Sequence, residues 1–415
     1  MIKKQEKNNN LEFQINPSRL SYLLELYKLS KENFIEQLQG KNKNPTLNLE
    51  ELNEILNNNR KVNISFLRKL DKIFDKGITW YISNRDLPIK EKLSIFFRKD
   101  SFNANLNMGS IKLINEFEKR QIEIATLCNY ISYKAERKYK YTIDQDSQKA
   151  SIEIRKEFEN ITEKLKTRNI LKKIQTDRDY LENLIRTIEE FNVFIFEFVD
   201  IKKKEDSTAS FSGFFINPNM IVIKRQQDSI KREIFTLIHE FAHYLLGEEE
   251  IDTKVDENST NLNKTEQWCN NFAYFFLIQD EDKKLREISE ATAKNNFHRD
   301  IIDAISKKTY LSNLALYTRL RINNNISLPN YDIIYNKIMD TVFEDKKKRK
   351  AELKLQQEKD KEAGKKPFAS SPKPIESRLF KEIVRINYFE GNINEARVME
   401  TLRVKNKLFE EVIYS

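Results

Sequence analysis

Cysteine is nearly absent from this sequence. Cys128 and Cys269 stand far apart in a chain of 415 residues, with no zinc-knuckle spacing and no disulfide framework. A reducing compartment fits that usage. Glycine and proline are also scarce, at 7 and 8 residues, which argues against a loop-rich β protein and for long helices. Long apolar runs are missing as well: the strongest, residues 272–278, falls far short of a bilayer span. Residues 1–13 are polar and rich in Asn and Lys, so they do not read as a secretory signal, and a cytoplasmic protein with no membrane contact is expected. Histidine occurs only three times, which makes the placement of each one informative.

What is present is charge. Asp, Glu, Lys and Arg make up 33% of the chain against 39% hydrophobic residues, with a net charge of +9. The apolar share suffices for at least one core, and the length favours two or three domains. A basic balance is compatible with nucleic acid or an acidic partner. Lys and Asn are abundant everywhere, however, so the charge singles out no surface.

The expected architecture is mainly α with a small antiparallel β-sheet. Residues 1–85 read as a helical, helix-turn-helix-like module, with apolar helical spacing over 19–26, 31–38, 49–56 and 65–74. Ser30 is an expected N-cap, and Gly77 an expected helix stop. Residues 86–190 read as a connector followed by long, charged helices. Residues 191–330 form the expected core. Residues 193–199 are an aromatic and β-branched strand. A polar turn covers 202–210, and Gly213–Ile216 and Met220–Ile223 flank a turn at Asn217-Pro218-Asn219. Residues 331–375 are a mixed-charge helix and a linker around Pro367–Pro374. Residues 376–415 form a small helical C-terminal unit turning at Gly391.

The chemistry concentrates on residues 231–246, a helix ending at Gly247. His239 and His243 are four residues apart, so both imidazoles share one helix face and can meet one ion. Glu240 sits about 100° around the helix from His239, placed to reach a metal-bound water without ligating the metal. That is the geometry of a zincin. A tetrahedral catalytic Zn2+ needs a third protein ligand and an open position. Glu266, on a second helix over 265–278, is the candidate, and Glu249 or Asp252 of the intervening acidic loop is the alternative. Asn270 shares a face with Glu266 and is an expected hydrogen-bond partner for a histidine ring. Tyr244, Tyr310, Arg232 and His298 are the candidates for stabilising an oxyanion. Cys269 and Trp268 read as packing residues beside the site.

These residues resemble the ImmA/IrrE family of metallopeptidases. The resemblance rests on Arg232-x-x-Phe235-Thr236-Leu237-x-His239-Glu240-x-x-His243 and on Glu266-x-x-x-Asn270-x-Phe272-Ala273. Gly213-Phe214 upstream and residues 311–320 downstream support it. It spans residues 190–325 well and reaches more weakly to the N-terminal module, which looks like the Cro/repressor-type module of long members. Cys269 departs from the family, which usually has Ala there. The resemblance implies a zinc peptidase core with His239, His243 and Glu266 as ligands and Glu240 as general base. It also implies a specific protein substrate, a DNA-binding repressor or a regulator of stress genes or mobile elements. Two other readings stay open: a DNA-binding regulator with a zinc-stabilised sensing domain, and a toxin or defence component using the same peptidase chemistry.

Overall fold

The computed structural model describes residues 12–26, 29–39, 47–74, 76–85, 108–199, 211–225, 229–248, 264–362 and 374–414. The polar residues 1–11, most of the connector, the turn at 202–210, the acidic loop with Glu249 and Asp252, and the linker residues 367–373 lie outside them. The chain divides into two compact units, Met1–Asn103 with Ile111–Asn115, and Ala104–Ser110 with Glu116–Ser415.

The first unit holds β1 (Glu12–Phe13), α1 (Pro17–Leu26), α2 (Lys31–Gln39), α3 (Leu49–Leu56), β2 (Val62–Asn63), α4 (Ile64–Phe74) and α5 (Ile78–Ile82). Leu20, Leu23, Phe34, Leu52, Leu67 and Leu70 are fully buried. These are the apolar positions at helical spacing, and their burial drives the packing of helices too short to persist alone. Ser30 accepts from the Asn33 amide at 3.1 Å, and Asn48 with Glu51 forms a capping box at the start of α3. α4 stops at Phe74, and Gly77 (φ +84°) instead opens α5. α3 carries Glu50, Glu51 and Glu54, the last two paired with Arg60 at 2.8 and 3.3 Å.

The second unit includes the greater part of α6 (Met108–Tyr130), then α7 (Ser147–Thr167) and α8 (Asp177–Glu189). Then come β3 (Phe194–Phe198), β4 (Gly213–Ile216) and β5 (Met220–Lys224). β4 and β5 are the expected antiparallel hairpin, with Phe214 opposite Val222. β3 joins the far side of β5 in parallel, Phe194 opposite Met220, so the order is β3-β5-β4 and the three-stranded sheet is mixed. The reason is coverage. Every residue of β3 and β4 is buried, because both faces of the sheet are packed, as in sheets whose strands read as continuous apolar runs. On one face lies α9 (Ile230–Leu246), with Phe215 against Tyr244 at 5.9 Å. On the other face, Phe117 of α6 meets Phe196 and Phe214.

α10 (Lys264–Ile278) packs along α9, followed by α11 (Glu281–Arg286), α12 (Arg299–Thr309) and α13 (Asn313–Ile322). α14 (Leu328–Glu362) is one long helix, and its described side chains from Phe343 onward are almost all solvated, as its mixed charge predicts. No helix among the described residues is long and apolar enough to cross a membrane.

The chain closes with α15 (Arg378–Phe389), α16 (Glu395–Thr401) and α17 (Phe409–Tyr414), turning at Gly391 (φ +76°). α15 docks on the sheet face opposite α9, with Phe380 on Phe196. Its N-terminus is met by the buried carboxylate of Glu189, which accepts from the Ser377 hydroxyl and from the Arg378 amide at 3.2 Å. Burial pushes the Glu189 carboxyl up to about 7, against those hydrogen bonds. The folded state therefore holds its proton more tightly than the unfolded chain does. This contribution is present below pH 4.5 and is lost as pH rises through 7. Thermal unfolding is expected to show about 3 kcal/mol of extra stability at pH 4.5 relative to pH 8 from this group, a difference that Glu189→Gln removes. Equal slopes of stability against pH in the two proteins would contradict it.

Candidate metal centre

α9 is buried from Glu233 to Leu246, except for the half-exposed Phe235. A helix buried on nearly every side belongs inside a core, and this one lies between the sheet and α10. Its end is defined twice at Gly247. The residue sits in the left-handed region at φ +71°, and its amide closes on the His243 carbonyl at 2.8 Å. A Cβ there would also lie 1.8 Å from Arg137 Nη1, which itself binds the Tyr244 carbonyl at 2.9 Å.

The two histidines point the same way, with their Nε2 atoms 3.2 Å apart. Glu266, in the first turn of α10, reaches between them: one carboxylate oxygen is 3.2 Å from His239 Nε2 and the other 3.1 Å from His243 Nε2. All three residues are at most 3% exposed. Three donors around a tetrahedral Zn2+ with bonds near 2.05 Å are separated by roughly 3.3 Å, so the observed spacings suit one small ion. These residues form the one group among the described residues arranged to hold a metal. Burial pushes the Glu266 carboxyl up, but the charge and hydrogen bonds of His239, and then of His243, outweigh burial and hold it well below the usual carboxylate range.

Glu240 is 4% exposed and lies where β4 crosses α9. Gly213 is what allows that crossing: a Cβ there would stand 2.6 Å from Thr236 Cγ2 and 3.2 Å from Glu240 Cγ. Gly213→Ala is expected to cost about 1–3 kcal/mol through overpacking and to displace Glu240, so activity should fall further than the stability loss explains. Denaturant titration beside kinetics checks this, and unchanged kinetics would refute it.

The structure differs from expectation at two residues. Asn270 does not hold a histidine: His243 Nδ1 lies 3.2 Å from the Glu248 carbonyl, and Asn270 Oδ1 is buried without a hydrogen bond. The backbone after the helix supplies the acceptor before the side chain of α10 can reach it. Tyr244 is no oxyanion candidate, because its hydroxyl donates to the Phe191 carbonyl at 2.6 Å inside the core. Of the others, Tyr310 stacks on Tyr180 at 3.8 Å, and Arg232 is exposed in the first turn of α9. His298 ends a left-handed run beginning at Asn296. Trp268 is a packing anchor, its indole N–H donating to the Gln145 carbonyl at 2.7 Å, and Cys269 is fully buried.

Residues 188–292 match the model of the M78 peptidase family, described as the IrrE N-terminal-like domain. The matched segment runs from the end of α8 through the sheet, α9, α10 and α11, and so contains all four residues of the candidate site. It supports the ImmA/IrrE resemblance and a metallopeptidase-like activity. Comparison with curated proteins and with solved structures gives no match. Outside the segment lie α6, α7 and the C-terminal helices that cover the core. No sequence signal marked Arg137, because a single Arg between two charged helices carries no pattern.

Proposed function

We propose that this protein is a zinc-dependent endopeptidase acting on a specific protein. The observation that carries it is the convergence of His239, His243 and Glu266 to about 3 Å of one another, with the Glu240 carboxylate on the same helix. His239, His243 and Glu266 would hold the ion. When bound, Zn2+ lowers the pKa of its water to around 7 and polarises the scissile carbonyl. Glu240 takes the proton from the attacking water and passes it to the leaving amine. Its burial keeps competing solvent from that carboxylate. Nitrogen and carboxylate donors suit zinc.

The substrate we infer is a DNA-binding repressor or a regulator of stress genes or mobile elements, which follows from the resemblance of the M78 segment and its N-terminal module. The work is assigned to the reducing cytoplasm. The alternative, a DNA-binding regulator with a zinc-stabilised sensing domain, is disfavoured by α2, whose exposed Glu32 and Glu36 would face phosphates poorly. A toxin or defence role would use the same chemistry on another protein. Co-expression with a candidate regulator, followed by mass spectrometry of its fragments, tests the reading. A new terminus that appears with wild type and not with Glu240→Gln supports it, and identical fragments from both would sink it.

A further inference from the structure

α9 starts without a side-chain cap at Ser229, yet the chemistry proposed for it needs its rotation held closely. Two side chains in its first turns do the anchoring. Lys231 Nζ is bound at 2.7 Å to both the carbonyl and the hydroxyl of Ser306. Glu233 is 2% exposed and meets Arg178 Nη1 at 3.2 Å. Arg178, at the start of α8, places Nη2 2.6 Å from Glu197 of β3 and Nε 3.4 Å from Glu182. The Glu197 side chain is fully buried. Its Oε2 also accepts the Ile375 amide at 2.8 Å, and its own amide donates to the Ile375 carbonyl at 2.8 Å. One guanidinium thus joins α8, β3 and α9, and through Glu197 it reaches the segment leading into α15.

Glu233 and Glu240 are seven residues apart, two turns less about 20° on a helix. They occupy the same sheet-facing stripe as Thr236. A pull on Glu233 therefore acts as a torque on the face that carries Glu240 and, beside it, His239. Arg is needed for this: three carboxylates meet three different nitrogens of a rigid planar group, which a lysine ammonium cannot reproduce.

We propose that Arg178 is a positioning residue for the metal centre, setting the rotation of α9 by tying Glu233 to Glu197 and to the Ile375 segment. The proposal rests on the metal-centre reading. It is tested on the full chain by Co2+ titration followed by visible absorption, together with hydrogen–deuterium exchange of the metal-free protein. Arg178→Met is expected to weaken Co2+ binding by about tenfold or more and to raise exchange over residues 230–238. Arg178→Lys should not restore binding. Glu233→Ala leaves Arg178 paired with Glu197 and Glu182 and is the variant expected to remain folded. It should weaken Co2+ binding to a similar degree, whereas Glu233→Gln, which keeps an acceptor for Arg178, should bind like wild type. Asn387→Ala breaks a buried hydrogen bond to the Leu127 carbonyl on the other sheet face. It should lower the melting temperature and leave Co2+ affinity alone. Glu233→Ala binding Co2+ as tightly as wild type overturns the proposal. Wild type binding no Co2+ overturns the metal-centre reading itself, and the positioning role with it.

Discussion

Glu240→Gln should retain one equivalent of metal and the wild-type melting temperature while losing about a thousandfold in peptide hydrolysis. General base catalysis contributes about 10²–10⁴ in rate, and the amide keeps the size of the carboxylate but takes no proton. Gln matches Glu in size, so the close approach of the residue 240 Cγ to Gly213 is kept. Metal retention follows from the proposed ligand set, His239, His243 and Glu266. Metal analysis with single-turnover cleavage of the protein substrate measures both halves. Loss of metal in Glu240→Gln would make Glu240 a ligand, and retained activity would remove it as the base.

His239→Ala should abolish metal binding and, with it, the thermal response to chelator. A ligand bound only to the native state at a hundred times its dissociation constant stabilises by about 2.7 kcal/mol, so chelation of wild type should lower the melting temperature by several degrees. In His239→Ala the chelator should do nothing, because two donors remain where three converged. The variant's own stability should fall as well, since Glu266 loses one of the two imidazoles that accommodate its buried carboxylate. An unchanged metal content in His239→Ala would contradict the assignment. A chelator shift of equal size in both proteins would show that metal binds elsewhere.

Residue-level outcomes show how far the sequence could be read. The i, i+4 histidines, the Gly247 stop and the packing roles of Trp268 and Cys269 were legible, because each depends on residues within one or two helical turns. The hairpin Gly213–Ile216 with Met220–Lys224 was legible for the same reason, its turn lying between the two strands. The parallel edge formed by Phe194–Phe198 was not, since nothing local in an apolar strand names its neighbour. Asn270 was misjudged because the competing acceptor is a backbone carbonyl, and every residue carries one. Tyr244 was misjudged because its position beside His243 in sequence puts it on a different helix face, toward Phe191.

The sequence alone determined where the motif helix ends and which donor types lie in reach of one another along it, because helical periodicity and capping are short-range. Only the tertiary structure decided that Glu266 spans both imidazoles, that Gly213 makes room for Glu240, and that Arg178 binds three segments from α8, the sheet and α9. Those contacts join residues tens of positions apart, and the packing of both sheet faces that creates them has no counterpart in local pattern.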